Sequence, residues 1–343
     1  MRRLLVFALV IVLLAAAGWS AFWFYAARDI AARVAAWAAA QRAQGLTAAY
    51  SELTVAGFPF MWEVRIDSPH MTGAGPTQWD WQGETVVATL RPWSIRDIPV
   101  LFPGTHRIGA GAAGLVETLI ITAARPEGVV TLDAEGRLER LTLDLGDATI
   151  SRPTARAPVA VGRLQFELRP HRTPQPTYRA EVLDLALDAQ DAVLPAAPPG
   201  GLGSRVAQAH LNATVKGPLP SAPLPAAVAA WRDSGGVVEA KRVALRWGPL
   251  DIDGDGTVTL DAENRPLAAF SVRIRGYGET LDALAGAGLV RPRDSAAVKV
   301  VLNLLARQTQ SGERELSLPI TAQDGQLTVA GFPLMQVPPI RFE

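Results

Sequence analysis

The heptapeptide Leu-Thr-Val-Ala-Gly-Phe-Pro occurs twice, at Leu53–Pro59 and at Leu327–Pro333. Each copy ends in a Gly-Phe-Pro triplet, and the two triplets are Gly57, Phe58, Pro59 and Gly331, Phe332, Pro333. Glycine permits a positive φ and proline removes a donor from a strand ladder, so each triplet predicts a kink between two strands. The alternative interpretation is that the copies are two similar β-bends with no further meaning.

The residues that follow the first copy continue the strand pattern. In the stretch Phe60–Asp67, bulky apolar side chains alternate with charged ones, which is the period of a half-buried strand. The same alternation recurs in Leu138–Leu145, Val159–Leu168, Tyr178–Leu187 and Val206–Val215. Most of the chain is therefore predicted to form strands.

A second sequence echo supports a repeated strand–turn–strand unit. The hexapeptide Val-Thr-Leu-Asp-Ala-Glu occurs at Val130–Glu135 and at Val258–Glu263. Along the chain the two hexapeptides lie between the two heptapeptides. A simple tandem duplication would instead make the two motifs alternate. With helical spacing in only a few stretches, such as Thr280–Gly288 and Ser295–Gln308, we expect a mainly β fold of the α+β type. It is built on an extended, curved antiparallel sheet behind an N-terminal transmembrane helix.

The N-terminus indicates a membrane anchor. Arg2 and Arg3 precede Leu4–Ala27, which has 24 residues without a charge, and roughly 20 are needed to span a bilayer. A cluster of aromatic residues closes this segment where an interfacial belt would lie: Trp19, Phe22, Trp23, Phe24 and Tyr25. The alternative is a cleaved signal peptide processed near Ala15–Ala17. We expect an uncleaved single-pass anchor in the inner membrane, with the bulk of the chain in the periplasm.

This topology predicts three segments. Residues 1–27 form a cytoplasmic tip and the transmembrane anchor, residues 28–45 a membrane-proximal helix, and residues 46–343 an extracytoplasmic β-rich domain. The Pro- and Gly-rich stretch 195–203 is the candidate internal boundary. The zero net charge of the 343 residues does not indicate nucleic acid as a partner, and without cysteine there is no disulfide or thiolate metal site.

One glycine motif is typical of a nucleotide site. Gly109, Gly111 and Gly114 have G-x-G-x-x-G spacing, and Asp133 follows about 20 residues later, where an acid that binds ribose is expected. That mechanism requires a buried strand leading into the first glycine and a helix after the last. The flanking residues favour a glycine-rich bend between strands instead, and the nucleotide site stays as the weaker alternative.

Three aspartates suggest calcium, again as a weaker alternative. Asp251, Asp253 and Asp255 alternate with small residues, but position 12 of the corresponding loop is Ala262 rather than a bidentate acid. A tight Asp/Gly turn is the favoured interpretation. The four histidines show no zinc spacing and no G-x-S-x-G occurs, so we assign no catalytic residue, metal or cofactor.

Several short motifs resemble a known family. They include the early G-F-P-F, Trp231 before Gly235-Gly236, Trp247-Gly248-Pro249-Leu250, Arg265-Pro266 and the terminal G-F-P-L. Together they resemble the proteobacterial domain of unknown function 2125 over roughly Ala26–Glu343. That resemblance brings no established activity and no catalytic residue. The chain has a looser similarity to AsmA-like envelope proteins, which implies a long β-groove whose inner face holds lipid chains.

The expected function is accordingly non-enzymatic. We expect a membrane-anchored periplasmic protein that shields lipid or another apolar ligand, or that scaffolds envelope assembly. The expected partners are the inner membrane, through residues 4–27, and a lipid or an envelope protein. The alternative is a membrane-tethered, nucleotide-binding enzyme that uses the Gly109–Gly114 loop.

Overall fold

The computed structural model describes residues 2–43, 46–73, 77–112, 115–155, 157–173, 177–196, 200–220, 224–289, 291–308 and 312–340. Its helices are α1 (Arg2–Ala43), α2 (Leu224–Asp233), α3 (Tyr277–Gly286) and α4 (Pro292–Leu305). The first ten strands are β1 (Leu46–Ala49), β2 (Glu52–Ala56), β3 (Trp62–Asp67), β4 (His70–Gly73), β5 (Thr77–Gly83), β6 (Thr85–Leu90), β7 (Asp97–Leu101), β8 (Thr105–Ala112), β9 (Leu115–Leu132) and β10 (Leu138–Ser151).

The remaining strands are β11 (Val159–Pro170), β12 (Glu181–Val193), β13 (Arg205–Lys216), β14 (Val237–Trp247), β15 (Leu250–Leu260), β16 (Pro266–Arg275), β17 (Arg307–Gln308), β18 (Arg314–Gln323), β19 (Gln326–Val329) and β20 (Phe332–Gln336). From β9 to β16 each strand pairs antiparallel with the next in the chain, and β18, β19 and β20 continue the same sheet. The predicted β-rich fold with an antiparallel sheet is confirmed.

The sheet divides at β9 because this strand has 18 residues and accepts two partners on one edge. Thr122 pairs with Thr105 of β8, and Val130 pairs with Ile98 of β7, while β10 pairs with residues 120–132 on the opposite edge. One arm continues from β8 through β5 and β4 to β1. The other arm continues from β7 through β6 and β3 to β2.

Helix α1 runs without interruption for 42 residues, so the predicted division at residue 27 falls inside it. By length and composition it could cross a bilayer, and its most apolar window is not buried against the rest of the chain. Its middle packs on the second arm, where Trp23, Ala27 and Trp62 form a buried cluster. Trp23 Nε1 donates to Met61 O at 2.9 Å, and Trp62 Nε1 donates to Trp23 O at 3.2 Å.

The two Val-Thr-Leu-Asp-Ala-Glu echoes form the same hairpin turn. Asp133 Oδ1 accepts from the backbone N–H groups of Glu135 and Arg137 at 3.0 and 2.8 Å. Asp261 receives the same pair of bonds, at 3.0 and 2.8 Å, from the residues two and four positions later. The echo therefore encodes a turn closed by an aspartate between β9 and β10 and again between β15 and β16.

The stretch 195–203, which the composition marks as a candidate boundary, connects two strands of one ladder. β12 and β13 pair from Val193–Arg205 to Glu181–Lys216, so the sheet continues from one side of the connection to the other.

Candidate functional site

One face of the sheet is apolar across nine consecutive strands, and we call it the apolar face. Residues that pair across an antiparallel ladder point to the same side, so the register identifies its members. A middle row crosses from β9 to β18 through Gly128, Leu143, Phe166, Leu187, Leu211, Val243, Gly254, Val272 and Leu318. Every residue in this row is apolar.

The two flanking rows have the same character. One row contains Val130, Leu141, Leu168, Leu185, Ala213, Ala240, Gly256, Phe270 and Ile320. The other contains Pro126, Leu145, Leu164, Ala189, Ala209, Leu245, Ile252, Ile274 and Leu316. A bulge between Ala240 and Val243 in β14 shifts the alternation by one residue, which keeps both of these side chains on the apolar face.

This face is only partly covered. Leu187 and Leu211, at its centre, are 39% and 36% exposed, whereas Val272 and Leu316 near one end are 7% and 2% exposed. The total accessible surface is 21051 Å². A compact monomer of this mass would expose about 13,500 Å². The projecting helix contributes to the excess, and so does the open centre of the apolar face.

A line of unpaired positions crosses the sheet next to this face. The ladders skip Ala124, Asp147, Gly162, Asp191 and Ala207, which lie side by side in β9 to β13. Asp147 and Asp191 have positive φ values of 51° and 52°. We call these five skipped positions the kink line. On its far side the apolar residues of each strand change between odd and even positions, and they continue at Ala123, Ala148, Val161, Ala192 and Val206, which pair with one another.

A cavity of about 290 Å³ lies at the β9 end of the apolar face. Leu141, Leu143 and Leu145 line one side of it, and Trp81 with Ile108 from the first arm line another. Its remaining lining comes from Phe102, His106, Ile121, Ala123 and Pro126. This volume is near the lower limit for small-ligand sites, which are predominantly apolar as this one is.

The opposite face carries the charges, and we call it the charged face. Arg242 Nε donates to Asp253 Oδ2 at 2.8 Å, and Arg273 donates to the other oxygen of the same carboxylate. Partial burial raises the pKa of Asp253, but the hydrogen bonds from both arginines outweigh it and hold the pKa below its usual range. Arg163 lowers the pKa of Asp144 in the same way, through its hydrogen bonds.

The glycine motif lies within the first arm rather than before a helix. Gly109 pairs with Asp80 on one side and with Thr118 on the other, and Gly111 is likewise paired on both edges. Strand β9 follows in place of the helix that a pyrophosphate site requires. Gly114 lies outside the described residues. The backbone of Gly109 and Gly111 is therefore paired inside strand β8, so the favoured prediction of a glycine-rich bend between strands is wrong at these two residues.

The three aspartates considered for calcium lie inside strand β15 and point to its charged face, so the favoured prediction of a tight Asp/Gly turn is wrong. Asp251 lies 3.2 Å from Arg275 Nη2, and Asp253 is bound by two arginines as described above. Asp255 is exposed on the same strand and pairs with Ser271. Guanidinium groups thus already provide the positive charge at two of the three positions.

A different acidic cluster has ligand atoms close enough for a metal ion. It consists of His171, Glu181 and Asp184, whose ligand atoms lie within 4.8 Å of one another. Lys241 Nζ stands 3.9 Å from Glu181 and 3.8 Å from Asp184, and Thr214 donates to Asp184 at 2.6 Å. The lysine ammonium already balances the charge of these carboxylates, so an ion-pair network accounts for the cluster.

The two Leu-Thr-Val-Ala-Gly-Phe-Pro copies lie at two of the free edges of the sheet, and each connects an edge strand to its neighbour, β2 to β3 and β19 to β20. In the first copy, Gly57 has φ of +96° and begins the five-residue loop between β2 and β3. In the second copy, Ala330 and Gly331 have φ of 51° and 83° and form a two-residue hairpin turn. Phe332 begins β20 and Pro333 pairs with Thr328.

Comparison with protein families matches residues 23–338 to a model described as an uncharacterized protein conserved in bacteria, DUF2125. The chain belongs to the DUF2125 family. The match begins at Trp23, the residue at which α1 first packs into the buried cluster with the sheet. No curated protein and no solved structure gives a match. The looser similarity to AsmA-like envelope proteins stays a prediction.

Trp231 and two glycines have packing roles in this structure. Trp231 is buried, donates from Nε1 to Lys216 O at 2.7 Å, and packs on Gly236, where a Cβ would come within 2.3 Å of the indole. Gly256 lies on the apolar face, where a Cβ would come within 2.4 Å of the backbone of β16. These glycines allow the close approach of neighbouring groups.

The sequence patterns predicted the alternation of several strands but not the residues of the candidate site. The apolar face depends on register, because Leu143, Phe166 and Leu187 meet only when three strands are aligned. The available signal is the repeated Leu-x-Leu spacing of β10 and β12, which places leucines on one side of each strand.

Proposed function

We propose that this DUF2125 protein is a membrane-anchored protein whose apolar face shields the acyl chains of lipids. The observation that carries the proposal is the apolar face itself, three rows wide and nine strands long, with Leu187 and Leu211 exposed at its centre. An apolar surface of this extent in a water-soluble region needs a cover, since exposed patches on monomers rarely exceed a few hundred Å².

The dimensions of the apolar face suit acyl chains. Nine strands have eight intervals of about 4.8 Å, which gives a path of about 38 Å measured across the strands. A bilayer has a hydrocarbon core of about 30 Å, which two acyl chains span end to end, so this path is long enough to cover one whole acyl chain. Each methylene transferred from water to such a surface contributes about 0.8 kcal/mol.

Membrane anchoring is the second component of the proposal. The span is the apolar part of α1, residues 4–27, and Arg2 and Arg3 before it favour a cytoplasmic N-terminus. The sheet would then stand on the periplasmic side, with α1 joined to its second arm. A tethered sheet at this position has direct access to the lipids of the inner membrane.

Site-specific photo-cross-linking tests the proposal in living cells. A benzophenone amino acid replaces Leu211, which lies on the apolar face and is 36% exposed. The matched control places it at Asn212, the next residue of β13, which is also exposed but points to the charged face. After irradiation, the purified protein is analysed by mass spectrometry for covalently attached phospholipid.

We expect lipid adducts at position 211 and background levels at position 212. Equal adduct levels at the two positions would mean that lipid does not distinguish the faces, and would refute the proposal. A protein adduct at position 211 instead of a lipid adduct would replace lipid shielding with a protein partner on this face.

Helix α4 favours a second candidate, the scaffolding of an envelope complex. Val300, Val301, Leu304 and Leu305 on this helix are 61%, 54%, 81% and 58% exposed. An apolar helix surface of this kind is typical of protein interfaces. Co-purification of a stoichiometric membrane protein that is lost in a Val301→Glu/Leu304→Glu variant would support this candidate.

A further inference from the structure

Two loops emerge beside α1 from the same end of the second arm. Trp62, at the start of β3, pairs with Leu90, at the end of β6, so the preceding loop Gly57–Met61 and the following loop Arg91–Arg96 are neighbours. Both carry exposed apolar side chains. In the first loop, Phe60 is 68% and Phe58 is 49% exposed, and in the second, Trp93 is 70% and Ile95 is 62% exposed.

The first loop is fixed to the helix at a defined level. Trp19 Nε1 donates to Pro59 O at 2.8 Å, and the rings of Phe24 and Phe58 are stacked with centroids 5.7 Å apart. Trp23 contacts Phe58 edge-on at 5.5 Å. These contacts hold the loop against residues 19–24 of α1.

That level corresponds to the edge of the hydrocarbon core. A helix rises 1.5 Å per residue, so Trp19 lies about 22 Å beyond Leu4 along the axis. If the span begins after Arg3, the hydrocarbon core of about 30 Å ends near residue 23. A loop bonded to Trp19 therefore cannot remain in bulk water while α1 spans the membrane.

The composition of the two loops fits this location. Tryptophan and phenylalanine with adjacent arginines are typical of segments in the interface between lipid headgroups and acyl chains. In the second loop, exposed Arg91 and Arg96 flank Trp93 and Ile95. Their guanidinium groups can remain among the lipid phosphates while the apolar side chains lie deeper.

We infer that the loops Gly57–Met61 and Arg91–Arg96 form a second membrane contact, which inserts into the interface of the bilayer beside α1. This inference depends on the membrane anchoring proposed above. The second membrane contact would also have a structural role. Together with α1, the two loops would fix the tilt of the sheet relative to the membrane. An anchor helix alone leaves the sheet free to rotate about the helix axis.

Depth-dependent fluorescence tests the inference on the full-length protein. The chain has no cysteine, so single cysteines can be introduced at Phe60 and Trp93 and labelled with the NBD fluorophore. The matched control is Phe332→Cys in the second copy of the heptapeptide, which is 76% exposed at the opposite edge of the sheet. Each protein is reconstituted into nanodiscs of phosphatidylethanolamine and phosphatidylglycerol, so that both membrane surfaces are accessible.

At positions 60 and 93 we expect blue-shifted emission, strong quenching by doxyl-labelled lipids and weak quenching by iodide. At position 332 we expect the reverse. Iodide quenching at positions 60 and 93 as strong as at position 332, in protein with an unchanged circular dichroism spectrum, would overturn the inference.

The failure of this inference can be distinguished from the failure of the proposed anchoring. If the full-length protein does not assemble into nanodiscs at all, α1 is not a membrane anchor and both ideas fall. If the protein is incorporated but the labels at positions 60 and 93 report water, only the loop contact is wrong. A Phe60→Ser variant that restores iodide access at position 93 would show that the two loops insert together.

Discussion

Replacing Leu211 with aspartate is expected to weaken the binding of lipid by more than a hundredfold. Complete burial of a leucine side chain is worth about 1.5–3 kcal/mol, so the exposed third of Leu211 can contribute about 0.5–1 kcal/mol to an acyl chain that covers it. Covering a carboxylate at the same place adds a desolvation penalty of several kcal/mol. A total above about 3 kcal/mol corresponds to a factor of more than 100 in Kd.

The assay is an equilibrium titration of purified protein with NBD-labelled phosphatidylethanolamine at a fixed, low detergent concentration. Asn212→Asp is the control, because it adds the same charge one residue away on the charged face, opposite Arg242. Leu211→Thr keeps a strand-forming residue and should give an intermediate loss if the aspartate variant proves unstable. Equal affinities of the Leu211→Asp and Asn212→Asp proteins for the labelled lipid would refute the proposal that lipid binds to the apolar face.

Three further predictions concern stability. Gly236→Ala should lower the free energy of unfolding by about 1–3 kcal/mol, because its methyl group overlaps the Trp231 indole. Gly286→Ala, whose methyl group meets nothing beyond its own helix and chain neighbours, should not lower it in the same urea titration, since alanine favours a helix more than glycine does. Asp253→Asn should destabilise the protein more at pH 7 than at pH 3. Because the folded-state pKa of Asp253 is lowered, its stabilising contribution is complete above the unfolded-state pKa of about 3.9 and is lost as the pH falls through the folded-state pKa, which thermal unfolding at both pH values measures. Trp62→Phe removes a buried donor to α1 and should cost about 1–3 kcal/mol, with earlier proteolysis between helix and sheet.

Local patterns were sufficient to predict several strands and one turn, but they wrongly indicated a turn inside β15 and a bend inside β8. The alternation in Val159–Leu168 and Val206–Val215 corresponds to β11 and β13, because one side of each strand packs on apolar neighbours and the other faces charges. The Asp133 turn was also predictable as a hairpin, since its closing aspartate and arginine are local in sequence. These features depend on neighbours within a few residues.

The features that depend on register were not predictable. Asp147, Gly162 and Asp191 are unremarkable in sequence, and they become a kink line only because three ladders place them side by side. The division of the sheet at β9 has the same origin, since nothing in an 18-residue strand indicates where one partner ends and the next begins. The two heptapeptide copies, identical in sequence, form different turns because only the first is held against the aromatic residues of α1.

The chemistry of the apolar face limits what can bind there and leads to a last prediction. Its three rows, all among the described residues, offer no side-chain donor or acceptor, whereas protein interfaces typically contain about one hydrogen bond per 100–200 Å². A ligand on this face can therefore be selected for its apolar length but not for its polar groups.

We expect the affinities for phosphatidylethanolamine and phosphatidylglycerol with the same acyl chains to agree within about threefold, because headgroup contacts must be made elsewhere. Shortening both chains by two methylenes should weaken binding far more, at about 0.8 kcal/mol for each methylene that the face buries. A headgroup preference larger than the chain-length effect, measured by competition against the same NBD-labelled lipid, would mean that polar groups at the ends of the sheet, and not the apolar face, determine binding.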